Sequence, residues 1–462
     1  MKKSKLYLVI AMFALAPLGA SANSLQDIYE LALQNDAQLK ADKAGYEANK
    51  QNTAIARADL LPQINAGYNY LKTDNDVLSN RPPLDPLAPN KTEKQELKNT
   101  GWEISLTQPL FNMASWYNYK QGQKLSEQAE AEFGANQQSL IVRVTTAYFN
   151  VLRNVDRLEA TLSEEKALGH QLEQTKQRFE VGLIAITEVH ESQAAYDSAT
   201  AATLEARGSL GISYEALEVL TGKAEDSIAP LSEKFPVVNP TPIDRAEWVS
   251  FALKNNYTLK ARKLAAEAAA KKADLERAGH YPTLGAELSY GDGNEQQDIN
   301  SLPKVDQDKE GSKVMLSLDV PLYSGGRTSG RTRQAVALSL KAEEEFHSAE
   351  RSTIQNASAL HLTVETDVAR VQARKQAIVS NQSALDATQS GYEVGTRNLV
   401  EVLLAQRNLY QARQNYSDAL HDYVIDSIKL REVSGMLTPA DIQEVDRWLK
   451  PDATVNRKQY EN

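Results

Sequence analysis

Thr283-Leu284-Gly285-Ala286-Glu287-Leu288-Ser289-Tyr290 decides the fold. Leu284, Ala286, Leu288 and Tyr290 fall on one side, and Thr283, Gly285, Glu287 and Ser289 on the other. That is the period of two of a β-strand with one apolar and one polar face. Val314, Leu316, Leu318 and Val320 alternate with Met315, Ser317 and Asp319 in the same way. Two further segments match them: Ile64, Ala66, Tyr68 and Tyr70 around Asn65, Gly67 and Asn69, and Trp102, Ile104 and Leu106 around Glu103, Ser105 and Thr107. Each has the length of a tilted membrane-crossing strand. Polar loops are expected between partners: Asp74 to Thr100, with Pro82, Pro83, Pro86 and Pro89, and Asp292 to Ser312. The competing reading is a small soluble β-domain whose apolar face packs on helices. The aromatic residues Tyr68, Tyr70, Trp102 and Tyr290 in the apolar set favour lipid outside and water inside.

The strand pairs recur because the chain repeats itself. At a shift of 220 positions Ala32-Leu33-Gln34-Asn35-Asp36 lies over Ala252-Leu253-Lys254-Asn255-Asn256, Pro62 over Pro282, and Tyr70 over Tyr290. The shift shortens to 212 at Pro109-Leu110-Phe111 over Pro321-Leu322-Tyr323. It settles at 213, pairing Val181-Gly182 with Val394-Gly395 and Glu188-Val189 with Glu401-Val402. The expected organisation is a signal peptide at 1–22, repeat 1 at 23–231, a linker at 232–242, repeat 2 at 243–437 and a tail at 438–462. One unit used twice argues against an enzyme, which needs one active site rather than two matching halves.

Between the strand pairs lie helices. Proline is absent between Pro109 and Pro230 and between Pro321 and Pro439. A proline inside a helix costs about 3 kcal/mol, so tracts rich in Ala, Glu, Gln, Leu and Lys without one read as long helices. Thr332 to Ser390 lacks glycine too, enough for about 90 Å of unbroken helix, which requires coiled-coil packing. Leu140, Val144, Ala147, Val151 and Leu158 form such a seam, with Arg143, Arg153, Asp156 and Arg157 off it.

Four strands do not close a barrel, which takes about eight or more, and open sheet edges are not tolerated in hydrocarbon. Several chains must therefore contribute strands to one barrel. Periodicity does not choose among two, three or four copies.

The N-terminus fits export. Lys2, Lys3 and Lys5 precede an apolar stretch from Leu6 to Leu18 and the small residues Ala20-Ser21-Ala22, with cleavage expected after Ala22. No other stretch approaches the ~18 apolar residues of a spanning helix. With Lys+Arg 51 against Asp+Glu 61 the net charge is −10, lower still without the three leading lysines, so nucleic acid is disfavoured as a partner. With Cys 0, disulfide staples are excluded.

The order helix, strand, strand, long helix, Val-Gly break, helix, given twice behind a signal peptide, resembles the TolC outer-membrane efflux and export channel-tunnel family. Local motifs carry the resemblance: Ala147-Tyr148-Phe149-Asn150-Val151-Leu152, Gln177-Arg178-Phe179-Glu180-Val181-Gly182-Leu183, Ala185-Ile186-Thr187-Glu188-Val189, and Tyr392-Glu393-Val394-Gly395-Thr396-Arg397. The likeness spans about Leu25 to Leu437.

It implies an α+β membrane protein: a homotrimer whose twelve-stranded β-barrel takes four strands from each chain and continues into a long α-helical coiled-coil periplasmic tunnel. It also implies passive export from a Gram-negative outer membrane, in efflux with multidrug resistance or in type I secretion. The implied partners are outer-membrane lipid, a periplasmic adaptor (membrane fusion protein) and an inner-membrane RND, MFS or ABC pump.

By the same resemblance, Val181, Gly182, Leu183, Val394, Gly395 and Thr396 form the tips an adaptor grips. Tyr392 and Arg397 tether an entrance gate through Gln171, Thr187 and Glu188, and Glu401 supplies an acidic ring. The family's second acidic ring lies three residues beyond the first, where this chain has Leu404. A single carboxylate ring beside an apolar collar is expected, with weaker block by multivalent cations.

No catalytic constellation appears. His170, His190, His280, His347, His361 and His421 show no metal-ligand spacing, Glu343-Glu344-Glu345 reads as an acidic helix face, and Ser324-Gly325-Gly326-Arg327 lacks the lysine and spacing of a phosphate loop. No metal or cofactor is expected. The alternatives are a periplasm-spanning scaffold or coiled-coil adhesin with a β-barrel anchor, and a barrel-embedded hydrolase. Matching mid-chain strand pairs disfavour the first, and missing catalytic residues the second. The tail after Pro439 is expected to be loosely ordered.

Overall fold

The computed structural model describes residues 23–78, 92–225, 227–299, 303–450 and 455–457. The expected signal peptide and Pro82, Pro83, Pro86 and Pro89 lie outside the described residues. The elements run α1 (Leu25–Asn35), α2 (Ala37–Lys50), α3 (Asn52–Ala58), β1 (Gln63–Leu78), β2 (Thr92–Phe111), α4 (Met113–Glu180), α5 (Ile186–Thr221) and β3 (Ser227–Ile228). They continue with α6 (Arg245–Asn255), α7 (Tyr257–Ala278), β4 (Thr283–Ile299), β5 (Val305–Asp319), α8 (Arg327–Glu393), α9 (Leu399–Val433), α10 (Pro439–Asp446) and β6 (Val455–Asn456). The proline-free tracts are helical, and α4 and α8 reach 68 and 67 residues.

Contacts divide the chain into two compact units that interleave along it. One consists of Met1–Ala44, Phe133–Leu259 and Glu350–Asn462, and its apolar core is continuous. Leu140, Val144, Val151 and Leu158 are fully buried there, so the seam on α4 is a packing face. Tyr148 is also buried and donates its hydroxyl to Ala229 O at 2.6 Å.

Helix ends fix the entry of the chain into this unit. Ser24 and Asp27 form a capping box at α1. Asp36 accepts Leu39 N–H at 2.5 Å at the start of α2 and takes a two-pronged bond from Arg143 at 2.9 and 3.2 Å. Burial works to raise the Asp36 pKa, but those bonds and the Arg143 charge outweigh it and hold the carboxylate below its ordinary range. At the equivalent position Asn256 caps Leu259 N–H at 2.8 Å with a neutral side chain.

The described residues after Leu437 carry more structure than the sequence suggests. Thr438 and Asp441 form a capping box with Pro439 in the first turn of α10, and Ile442 and Val445 are buried. β6 pairs with β3. The polarity of the segment hides its buried apolar anchors Ile442, Val445, Leu449 and Val455.

The second unit, Gly45–Glu132 with Lys260–Ala349, carries an antiparallel sheet in the order β1-β2-β4-β5. Its register sets the four alternating patterns on one face: Ile64 lies opposite Leu106, Leu106 opposite Leu288, and Leu288 opposite Val314. The next row is Ala66, Ile104, Tyr290 and Ser312, and the one after is Tyr68, Trp102, Asp292 and Glu310. The opposite face carries the row Asn65, Ser105, Ser289 and Lys313.

Strand pairing extends further than expected, to Leu78 with Thr92 and to Gln297 with Val305, through residues assigned above to loops. Backbone pairing is indifferent to side-chain polarity, and cross-strand charge pairs such as Lys72–Glu96 at 3.0 Å suit these polar extensions. In the helical part of this unit, a Cβ on Gly122 of α4 would stand 2.7 Å from Asn52 O, so glycine permits the close approach of α3. Thr53 donates to Ser126 at 2.8 Å across the same contact.

Candidate functional site

The predicted residues gather at two helix-to-helix turns in the first unit. Gly182 and Gly395 have φ of 77° and 76°, the left-handed region open to glycine. Around the first, Leu183 N–H bonds Arg178 O at 2.9 Å and Gly182 N–H bonds Phe179 O at 2.8 Å. Around the second, Thr396 N–H bonds Gly391 O at 2.9 Å and Gly395 N–H bonds Tyr392 O at 3.1 Å. Both are complete Schellman caps, which close one long helix and reverse the chain into the next. Neither glycine would bring a Cβ within 4 Å of another atom, so backbone conformation alone selects it. The apolar residues of the turns face solvent: Val181 is 70%, Leu183 69% and Val394 74% exposed.

Tyr392 donates its hydroxyl to Glu188 Oε2 at 3.1 Å, joining the end of α8 to the start of α5. The Arg178 guanidinium lies 5.1 Å from the centre of the Tyr392 ring. Burial first, and the Glu188 carboxylate second, push the Tyr392 phenol above its ordinary pKa, so it stays a donor.

The other expected tether partners are arranged differently. Arg397, in the bend before α9, pairs with Glu401 Oε2 at 2.7 Å in the first turn of that helix, and neither Gln171, Thr187 nor Glu188 bonds it. Gln171 contacts Thr175 Oγ1 at 3.5 Å, and exposed Thr187 makes no side-chain hydrogen bond among the described residues. Glu401 is half-buried and Asn398 caps its N–H at 3.0 Å, while Leu404, one helical step on, is exposed.

Three features escaped sequence reading. Arg178 was not singled out as the partner of the Tyr392 ring, and Asn398, three residues before Glu401, is a readable N-cap signal. The third is a polar cluster of α4, α8 and α9. Arg153 bonds Asp422 at 2.5 Å, and Asp422 also accepts Arg370 at 3.0 Å. Ser417 donates to Asp156 at 2.5 Å and lies 3.3 Å from His421 Nδ1. Burial, then the Arg153 charge, lowers the His421 pKa to about 3, so its imidazole is neutral at pH 7. The recurrence of Asp418, Asp422 and Asp426 at four-residue steps was the available signal.

Among the described residues no group of three or more His, Cys, Asp or Glu side chains could hold a metal ion. Among them, too, no helix is long and apolar enough to cross a membrane.

The chain is similar to known proteins along its length. The family model described as outer membrane efflux protein matches residues 28–223 and 248–436. The outer membrane protein TolC of Vibrio cholerae is 36% identical over 96% of this chain and 98% of its own. The alkaline protease secretion protein AprF of Pseudomonas aeruginosa is 29% identical over 96% of this chain and 91% of its own. The solved outer membrane protein VceC of Vibrio cholerae has the same fold, with a TM-score of 0.72 at 19% identity over 89% of this chain and 96% of that one. The chain belongs to the outer membrane efflux protein family, a family of outer-membrane transport channels rather than enzymes.

Proposed function

We propose that this chain is the outer-membrane exit duct of a tripartite efflux pump or type I secretion system. Substrates pass from periplasm to exterior without energy input from the duct itself, after it docks with a periplasmic adaptor and an inner-membrane RND, MFS or ABC pump. Three chains close one barrel of twelve strands, four from each, and the matching element order of the two halves makes the chain a tandem structural repeat.

The sheet carries this reading. Its four strands leave the outer edges of β1 and β5 without a strand partner among the described residues, and one face carries the exposed apolar side chains Ile64, Ile104, Leu288, Val314, Leu316 and Leu318. In lipid such edges must be paired, and pairing β1 of one chain with β5 of the next closes the sheet. The aromatic contact of Trp102 with Tyr290, 5.6 Å between ring centres, suits the interfacial end of that apolar band.

At the turns, Val181, Gly182, Leu183, Val394, Gly395 and Thr396 form adaptor-contacting tips. Their exposed apolar side chains on rigid caps favour docking by burial. The Tyr392–Glu188 bond holds the second helical hairpin against the first as a gate tether, and Arg397, Gln171 and Thr187 are further tether residues of the same gate. Glu401, repeated in three copies, rings the entrance with negative charge.

Planar-bilayer recording of the purified protein tests the reading. Stable, voltage-independent single-channel steps are expected. A protein that inserts without conducting would favour the scaffold or adhesin with a barrel anchor.

A further inference from the structure

The sheet-bearing unit has a charge asymmetry that the duct alone does not require. From Ile104 to Ser126 the chain carries no carboxylate side chain, nor from Val320 to Ala342. Each stretch begins in or just after a strand and runs into the first turns of a long helix, α4 or α8. Both therefore sit where sheet gives way to helix. The loop-side ends of the sheet's strands are acid-rich instead, with Asp74 and Asp76 in β1, Asp298 in β4, and Asp306 and Asp308 in β5.

The carboxylate-free stretches carry cations and amphipathic anchors together. On α8, Arg327, Arg331 and Arg333 are exposed, and none pairs with a carboxylate among the described residues. Just before them Leu322 is 92% and Tyr323 89% exposed. On α4, Trp116 is exposed and its ring lies 5.0 Å from Lys120 Nζ, with the Tyr119 ring 5.5 Å away. Lys124 differs, because Glu127 at 2.8 Å and Glu267 at 3.1 Å already neutralise it.

Exposed apolar and aromatic side chains beside unpaired cations are costly in water. They match a bilayer interface, where rings sit at headgroup depth and cations meet phosphate. Guanidinium groups in particular grip phosphate oxygens in pairs.

We infer that this rim, centred on Arg327, Arg331 and Arg333, binds the phosphate groups of anionic phospholipids in the leaflet on the helical side of the sheet. The inference rests on the barrel reading and adds a lipid class and a sidedness to it. Hydrocarbon contact alone would hold any bilayer lipid equally, whereas this rim selects by headgroup charge.

The test uses the full-length protein in mixed micelles with equimolar phosphatidylglycerol and phosphatidylcholine, reading the retained lipid by native mass spectrometry. Each arginine near an anionic surface favours binding by roughly fivefold. Phosphatidylglycerol should be enriched on the wild type by at least about that factor. The combined variant Arg327→Gln, Arg331→Gln, Arg333→Gln should fall to near parity while keeping its bilayer conductance. Arg331→Lys, which keeps the charge, should retain most of the enrichment.

Equal retention of the two lipids by a conducting wild type overturns the lipid site and leaves the barrel standing. An enrichment that survives in the triple variant places the selectivity elsewhere and overturns the assignment too. Failure of the wild type to insert into either lipid overturns the barrel reading, and this inference with it.

Discussion

Tyr392 and Glu188 are joined across 204 residues of sequence by a single hydrogen bond of 3.1 Å. It links the end of α8 to the start of α5, the two helices that the proposed gate would have to part. A bond of this kind to a charged acceptor is worth about 1.5–3 kcal/mol when buried, and less where solvent reaches it. Such a link breaks on docking without unfolding anything. Tyr392→Phe combined with Arg397→Ser should raise single-channel conductance, with Tyr392→Phe alone giving most of the effect, because Arg397 is already satisfied by Glu401. An unchanged conductance would remove both residues from the gate.

Glu401 and Leu404 lie one helical step apart on α9. In the trimer proposed above, Glu401 would make one acidic ring and Leu404 a collar beside it. Leu404→Asp adds a second ring, and two closely stacked rings of carboxylates attract a multivalent cation more strongly than one. Cation block in bilayer recordings should tighten by roughly tenfold. No change would show that Leu404 does not face the passage.

The caps at Gly182 and Gly395 give a local prediction. A Cβ at either position meets open space, so only the left-handed backbone is penalised, by about 1 kcal/mol. Gly182→Ala and Gly395→Ala should speed amide exchange in the turn by about fivefold, while Gly→Asn at either site should cost less. Equal behaviour of Ala and Asn would mean the conformation is not the constraint.

His421 sets a pH dependence. Its side chain is 3% exposed and its pKa is lowered to about 3. A basic group with a lowered folded-state pKa contributes stability that is complete above its unfolded value near 6.5. That stability is lost as pH falls from there towards 3, up to about 5 kcal/mol in all. Asp156 beside it runs the other way: burial raises its pKa to about 6, favouring the fold at low pH and losing that advantage as pH rises from about 4 to 6. The Asp156 side chain is 46% exposed, so water screens it and His421 dominates. His421→Leu should therefore narrow the gap between thermal midpoints at pH 7 and pH 4. A gap as wide as in the wild type would show that His421 is not the acid-sensitive group.

The sequence was most legible where periodicity is enforced by burial or pairing. Ile64, Leu106, Leu288 and Val314 share a row because alternation fixes their face, and that face could be read before the register was known. The helix breaks at Gly182 and Gly395 were equally plain, since few residues other than glycine take that backbone. Strand ends were not legible: Lys72 to Asp76 have a loop composition, yet they continue the ladder through cross-strand ion pairs. Nor was the choice of partner for Arg397, which depends on whether a carboxylate four residues on in the chain or one on the other hairpin lies nearer. The packing of the tail rests on Ile442, Val445, Leu449 and Val455, buried apolar side chains too scattered to stand out in a polar segment.

The most direct test is a disulfide scan across the open edges of the sheet, in a protein whose cysteine count of zero gives a clean background. Single cysteines along β1 are combined with one in β5. Within a chain β2 and β4 separate these strands, by about 14 Å at the usual spacing, too far for a disulfide. A bond can therefore form only between chains. At one register the account predicts a covalent ladder that stops at three chains, with conductance retained. Monomer at every register would contradict it.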